Sequence, residues 1–105
     1  TNVFFAGQIT GAEGYTEAIG TGLFTALQMY SALKYEKPLQ FPEGSCLYAL
    51  TNHLTSENEN FQPMNFNFGL LPPKEGLKKG QKKMYHVDRC IVSITDFIHD
   101  ELTLL

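Results

Sequence analysis

The sequence has little cysteine, no tryptophan and no long apolar run. Two cysteines, Cys46 and Cys90, are too few for the disulfide framework of a small secreted domain, so we expect a reducing, cytoplasmic setting. No segment approaches the length needed to cross a bilayer, and no signal-peptide pattern is present, so no membrane partner is expected. The formal net charge of -3 gives no general argument for nucleic-acid binding.

What the sequence does contain suits one small domain. Its 105 residues are 43% hydrophobic and 18% charged, which is a globular composition. The apolar run at residues 3–6 (VFFA) predicts a strand buried on both faces, as in a parallel sheet. No other run resembles a partner strand, and an isolated apolar strand would leave its backbone groups unpaired. The chain is therefore interpreted as a piece of a larger protein with an α/β fold.

After the strand, hydrophobic periodicity predicts three helices, so the chain is expected to be mostly helical. They cover about residues 14–34, a short segment after the N-cap Ser45 to about residue 54, and about residues 82–102. The apolar stripes of the first and last helices are Ile19, Leu23, Leu27, Tyr30 and Leu33, and Met84, Val87, Ile91, Ile94 and Ile98. A second stripe on the first helix is made of small residues, Gly14, Ala18, Gly22 and Ala26, whose spacing favours close packing.

The stretch FFAGQITGAEGYTEAIGTG at residues 4–22 carries five glycines. Glycine loses more entropy on folding than other residues, so something must approach this backbone closely. A helix N-terminus after a glycine loop suits phosphate oxygens or the carbonyl edge of a flavin. Tight packing without a ligand explains the same residues. The spacing is not the G-x-G-x-x-G fingerprint, so it leaves both interpretations open.

Two strings resemble a known family. FFAGQITGAEGYTEAIGTGL, and FQPMNFNFGLLPP at residues 61–73, are similar to segments of the bacterial folate- and FAD-dependent tRNA (uracil-5-)-methyltransferases, the TrmFO or Gid family. The second string is the more discriminating, because the related GidA (MnmG) flavoproteins share only a stretch comparable to the first. The resemblance covers residues 3–73 well and the last thirty poorly.

The resemblance implies the C-terminal part of a Rossmann-type FAD-binding domain, with residues 1–73 in that domain and residues 74–105 forming a basic linker and C-terminal helix. The family forms 5-methyluridine in tRNA from methylenetetrahydrofolate, with FAD reduced by NAD(P)H. The expected partners are the remainder of the FAD-binding domain and RNA, and the isolated segment is expected to be inactive. An rRNA-directed paralogue, a GidA-like tRNA-modifying flavoprotein and a non-catalytic helical interaction module remain as alternatives.

The candidate site residues follow by position from the resemblance. The flavin-side contacts would be Gly7, Gln8, Ile9, Thr10, Gly11, Glu13, Gly14 and Tyr15. Asn65, Asn67, Phe68 and Gly69 would line the same region. Candidate RNA contacts are Lys78, Lys79, Lys82 and Lys83, although a solvated loop that leads into an exposed helix start is the favoured explanation of these lysines. No catalytic residue and no metal ligand is expected here, and both cysteines are expected to be buried structural thiols.

Overall fold

The computed structural model describes residues 3–56, 62–78 and 80–104. It contains three α-helices: α1 (Tyr15–Tyr35), α2 (Cys46–Thr55) and α3 (Gln81–Asp100). Short 3₁₀ turns cover Gly7–Thr10, Phe68–Leu70 and Leu102–Leu104. The three predicted helices are confirmed, with ends within a few residues of the expected ones. Within the described residues, no helix is both long and apolar enough to span a membrane.

The predicted N-terminal strand is not formed in the described residues of this chain. The described residues contain no strand, and their one isolated β-bridge pairs Ala12 with Met64. Ala6 is extended, but the neighbouring Phe5 carbonyl accepts only a long 3.4 Å bond from the Thr25 hydroxyl. An extended segment becomes a strand only when a neighbouring backbone supplies a ladder. Val3 and Phe5 accordingly remain exposed.

The connector between α1 and α2 folds back along α1 through polar bonds. The Gln28 side chain donates to the Leu39 carbonyl at 2.9 Å and accepts from the Leu39 N–H at 2.8 Å. The buried Ser31 hydroxyl donates to the Lys37 carbonyl at 2.8 Å. These bonds satisfy backbone groups of a proline-containing segment that lacks regular structure.

Ser45 begins α2 as predicted. Its hydroxyl accepts from the Tyr48 N–H at 3.2 Å and donates to the Pro42 carbonyl at 2.8 Å. The first bond caps the helix, and the second fixes the turn that leads into it. This buried serine therefore orients α2 against the rest of the chain.

The core is small and lies where the connector meets the helices. The Phe41 ring lies between Phe24 on α1 and Phe97 on α3, with centroid distances of 4.9 and 4.6 Å. A second cluster joins Ala49 of α2, Cys90 of α3 and Leu71, which belongs to the FQPMNFNFGLLPP string. The helices therefore meet mainly through single aromatic and small apolar side chains.

Most residues of the two apolar stripes are exposed, so the stripes do not form the core of the described chain. Ile19 and Leu33 on α1 are 72% and 84% exposed, and Met84 on α3 is 59% exposed. The buried positions of these helices are instead Thr21, Ser31, His86, Cys90 and Phe97. Periodicity identifies an apolar face but not the element that covers it. Within the described residues, most positions of both stripes lack such a cover, whereas Leu27, Val87 and Ile94 are half-buried.

Close helix packing occurs at a different glycine from the predicted ones. A Cβ at Gly20 would lie 3.0 Å from Leu47 Cδ2 on α2, whereas a Cβ at Gly22 would meet nothing within 4 Å. Gly20 therefore permits the approach of α1 to α2. At Gly22 the small-residue stripe therefore has no close neighbour in the described part of the chain.

Candidate functional site

The loop before α1 depends on glycine backbone geometry. Gly7, Gly11 and Gly14 have φ values of 80°, 95° and 104°, which other residues rarely adopt. A Cβ on Gly14 would also lie 2.7 Å from both Asn65 Nδ2 and Glu17 Oε2. Three of the five glycines are therefore explained by the conformation of this loop, and Gly14 also by a close approach of side chains.

Thr21 holds the loop against α1. The Gly7 N–H donates to the Thr21 hydroxyl at 3.0 Å, and that hydroxyl lies 3.0 Å from the Glu17 carbonyl to which it donates. Thr21 is only 3% exposed. Sequence reasoning missed this residue, although a hydroxyl side chain between two glycines of an apolar helix is a signal for such a bond.

The second string docks on the glycine loop. The Met64 N–H donates to the Gly11 carbonyl at 2.9 Å, and the Glu13 N–H donates to the Met64 carbonyl at 3.0 Å. Ala12, between these two positions, is fully buried. Two segments about fifty residues apart in the chain are thus joined by a pair of backbone bonds. The bonds bring together the two strings on which the family resemblance depends.

Asn65 follows Met64 and reaches the start of α1. Its amide donates to Glu17 Oε2 at 3.0 Å, beside Gly14. No side chain caps the α1 N-terminus, so the positive end of this 21-residue helix is not covered by a capping group. Asn65 therefore lies beside the glycine loop, and its role toward a ligand stays a prediction.

The other residues of the second string face elsewhere. The Asn67 side chain accepts from the Gly69 N–H at 2.9 Å and so caps its own short turn. Phe68 stacks on His86 of α3, with centroids 5.9 Å apart and planes 11° from parallel. The structure therefore divides the predicted lining group, placing Asn65 at the loop and Phe68 with Gly69 against α3.

The remaining flavin-side candidates lie on the loop surface. Ile9 and Thr10 line a cleft of about 360 Å³ together with Phe5 and Thr21. The Thr10 hydroxyl donates to the Gly7 carbonyl at 2.6 Å and closes the turn. Tyr15 is 93% exposed, and Gln8 and Glu13 are exposed as well.

The candidate lysines separate into two groups. Lys82 and Lys83, in the first turn of α3, line a second cleft with Phe68 and Gly69. Lys78 is exposed and does not line this cleft. Lys79 lies outside the described residues, as does Phe61 of the second string.

The two cysteines form a close thiol pair between α2 and α3. Their sulfur atoms are 3.1 Å apart, and both cysteines are free. Burial, and then the hydrogen bond with Cys90, raises the pKa of the Cys46 thiol to about 12. Such a thiol is protonated at neutral pH and is a poor nucleophile, which accords with a structural role.

The loop and the start of α1 have groups that fit a flavin. The α1 N-terminus, which no side chain caps, offers N–H donors, and the Asn65 and Glu17 side chains lie close to Gly14 beside them. A carbonyl-rich ring edge is an acceptor for such donors. Glu17 and Asn65 bond to each other there and frame one side of this position.

Comparisons with known proteins indicate the same family as the two strings. The family model described as "Glucose inhibited division protein A" matches residues 1–37. The protein named methylenetetrahydrofolate–tRNA-(uracil-5-)-methyltransferase TrmFO from Halalkalibacterium halodurans is 41% identical over 100 residues, covering 92% of this chain. The chain matches a segment of the TrmFO/GidA family. TrmFO proteins from Bacillus cytotoxicus and Lysinibacillus sphaericus are 39% and 36% identical, over 93% and 95% of the chain.

The match to TrmFO covers only part of each relative. The chain spans 23% of the Halalkalibacterium and Bacillus proteins and 24% of the Lysinibacillus protein. Similarity extends over nearly all of this chain, including the last helix, where the motifs themselves gave little indication. Residues of α3 therefore correspond to TrmFO sequence as well.

Proposed function

We propose that this chain is the C-terminal flavin-side segment of an FAD-dependent methyltransferase that forms 5-methyluridine in tRNA from methylenetetrahydrofolate and NAD(P)H. The observation that carries the proposal is the Met64 backbone pairing with Gly11 and Glu13, which joins the two family strings at an uncapped helix N-terminus. The names of the TrmFO relatives supply the substrate and the folate donor.

The chain's own residues would bind and orient the cofactor. N–H groups at the start of α1, beside Gly14, would donate to the flavin ring edge, and Thr21 would hold Gly7 in position. FAD, when bound, supplies the electrons taken from NAD(P)H. No residue of the segment is assigned a proton transfer or a covalent step, so its contribution is positioning.

The exposed apolar faces support a partner within the same protein. The α1 stripe at Ile19, Leu23 and Leu33 has no cover among the described residues, and neither do Val3 and Phe5. Exposed apolar patches of this kind mark interaction surfaces. We propose that the remaining FAD-binding domain covers them, pairs residues 3–6 as a sheet strand in a Rossmann-type fold, and leaves residues 74–105 as a basic linker and helix. A cytoplasmic setting follows from the proposed tRNA substrate.

A chimera tests the proposed activity. This chain replaces the matching segment of the Halalkalibacterium TrmFO protein, and 5-methyluridine is measured by nucleoside mass spectrometry after incubation with tRNA, methylenetetrahydrofolate and NADPH. We expect methylated tRNA, and none when the folate is omitted. A folded chimera that retains FAD but leaves tRNA unmodified would contradict the proposal.

The same assay separates the alternatives. Methylation of rRNA fragments but not tRNA would favour the rRNA-directed paralogue, and a folate-independent tRNA modification would favour a GidA-like activity. A folded chimera without flavin would favour a non-catalytic module. The isolated 105-residue chain is expected to carry no flavin, and purification of that chain with stoichiometric FAD would overturn this expectation.

A further inference from the structure

A basic cleft lies beside the start of α3 and is separate from the glycine loop. Its volume is about 500 Å³. The cleft is lined by Phe68, Gly69 and Leu71 of the second string together with Pro73, Lys74, Lys82, Lys83 and His86. The cleft therefore combines an aromatic ring with three lysine side chains.

The electrostatics of this cleft are unbalanced. The first turn of α3 contains no acidic residue, and no side chain caps the helix. Lysines at this position oppose the helix dipole, which makes the folded chain less stable unless an anion is present. Lys82 and Lys83 form no ion pair with any residue in the described ranges 3–56, 62–78 and 80–104.

A buried polar atom in the cleft wall lacks a partner. His86 is 8% exposed, and its Nδ1 atom has no hydrogen-bond partner among the described residues. Buried polar side-chain atoms in folded proteins nearly always have one, so an exception calls for an explanation such as a ligand. The His86 ring stacks on Phe68, and both residues line the cleft.

We propose that this cleft binds backbone phosphates of an RNA substrate. The inference rests on the proposed function only for the choice of RNA as the ligand. An anion is indicated independently by the lysines, the uncapped helix and His86. The aromatic ring of Phe68 favours a nucleic acid over a free anion, because a base or sugar can pack on it. Among the lysines predicted from the sequence as RNA contacts, Lys78 does not line this cleft. Lys74, which was not among them, does.

Binding of a fluorescent single-stranded oligouridylate to the chain tests the proposal by anisotropy. The variant Lys82→Gln/Lys83→Gln should weaken binding on the order of 10-fold at low salt and reduce the slope of log affinity against log salt by about 1.4. The matched control Lys37→Gln, an exposed lysine on the α1–α2 connector, should change affinity less than about twofold. Equal losses in the two variants would overturn the proposal, because they would indicate general charge rather than a site.

Two further experiments identify the ligand and the role of His86. Inorganic phosphate is titrated against the bound oligonucleotide at constant ionic strength; displacement by millimolar phosphate would contradict an RNA site. His86→Phe keeps the stack on Phe68 but removes Nδ1, and it should weaken RNA binding without lowering the thermal midpoint. Unchanged RNA affinity in this variant would remove His86 from the proposed site.

The outcomes for this cleft and for the methyltransferase are distinguishable. A chimera that methylates tRNA equally well with Lys82→Gln/Lys83→Gln, at subsaturating tRNA, would contradict the cleft while supporting the enzyme. A chain that binds RNA through the lysines, in a chimera that methylates nothing, would support the cleft and contradict the enzyme.

Discussion

Replacing Thr21 with valine removes the bond that anchors the glycine loop while keeping the shape of the side chain. The Gly7 N–H then loses its acceptor, which lies 3.0 Å away in the native chain. Thr21 is buried, so water replaces the hydroxyl poorly, whereas Gly7 is only half-buried and water reaches its N–H in part.

The expected loss of stability follows from this partial burial. An unsatisfied buried donor costs about 1–3 kcal/mol, and the half-buried Gly7 N–H belongs at the lower end, at about 1 kcal/mol. That loss changes the folding equilibrium about fivefold. Valine and threonine have similar helix propensities, so the helix itself contributes little to the difference.

Urea denaturation followed by circular dichroism measures this loss, and amide exchange at Gly7 locates it. Thr21→Ser keeps the hydroxyl and should retain exchange protection at Gly7. Thr16→Val, on the exposed first turn of the same helix, provides the matched control. Equal unfolding midpoints for Thr21→Val and Thr16→Val, with Gly7 protection unchanged, would refute the assignment of Thr21 as the anchor.

Four other substitutions test separate parts of the structure. Ser45→Ala should destabilise the chain by about 1–2 kcal/mol in urea denaturation, because it removes the α2 cap; a smaller loss than about 0.3 kcal/mol would contradict that role. Gly22→Ala should stabilise the isolated chain by up to about 1 kcal/mol, and it should destabilise the chimera if a sheet covers α1. Gly20→Ala should stabilise the isolated chain less, because Leu47 Cδ2 is 3.0 Å from the new Cβ. Identical effects in both backgrounds would argue against a covered α1 face. The raised pKa of the Cys46 thiol predicts a stability contribution that is complete below the unfolded thiol pKa and lost as pH rises toward about 12. The unfolding midpoint should therefore fall less steeply above pH ~9 in Cys46→Ala than in the native chain, and parallel curves would contradict the prediction.

Local signals made the helices predictable, and the absence of neighbouring elements made their packing unpredictable. The Ser45 cap and the 3.6-residue period are determined within a few residues of the chain, so the helix positions were correct. The apolar stripes did not identify the buried faces of α1 and α3, because burial depends on which other elements are present, and here Phe97 rather than Met84 meets the core. Propensity likewise suggested a strand at residues 3–6, but a strand needs a partner.

The candidate site was predictable in its components and not in its connections. The positive φ of the loop glycines follows from their residue type, and the family strings selected Asn65. The Met64 pairing with Gly11 depends on a long-range register that no local pattern encodes. Thr21 and His86 were missed because their importance lies in a single bond and in a single unpaired atom.

Flavin content of the chimera tests the central claim that the two joined strings form a flavin-side contact. The account predicts stoichiometric FAD in the native chimera and loss of most of it in Gly14→Ala, where the new Cβ would lie 2.7 Å from Asn65 Nδ2. Gly76→Ala, with a similar positive φ of 82° but open space around it, should retain FAD. A folded chimera without FAD, or equal FAD content in the two variants, would contradict the claim.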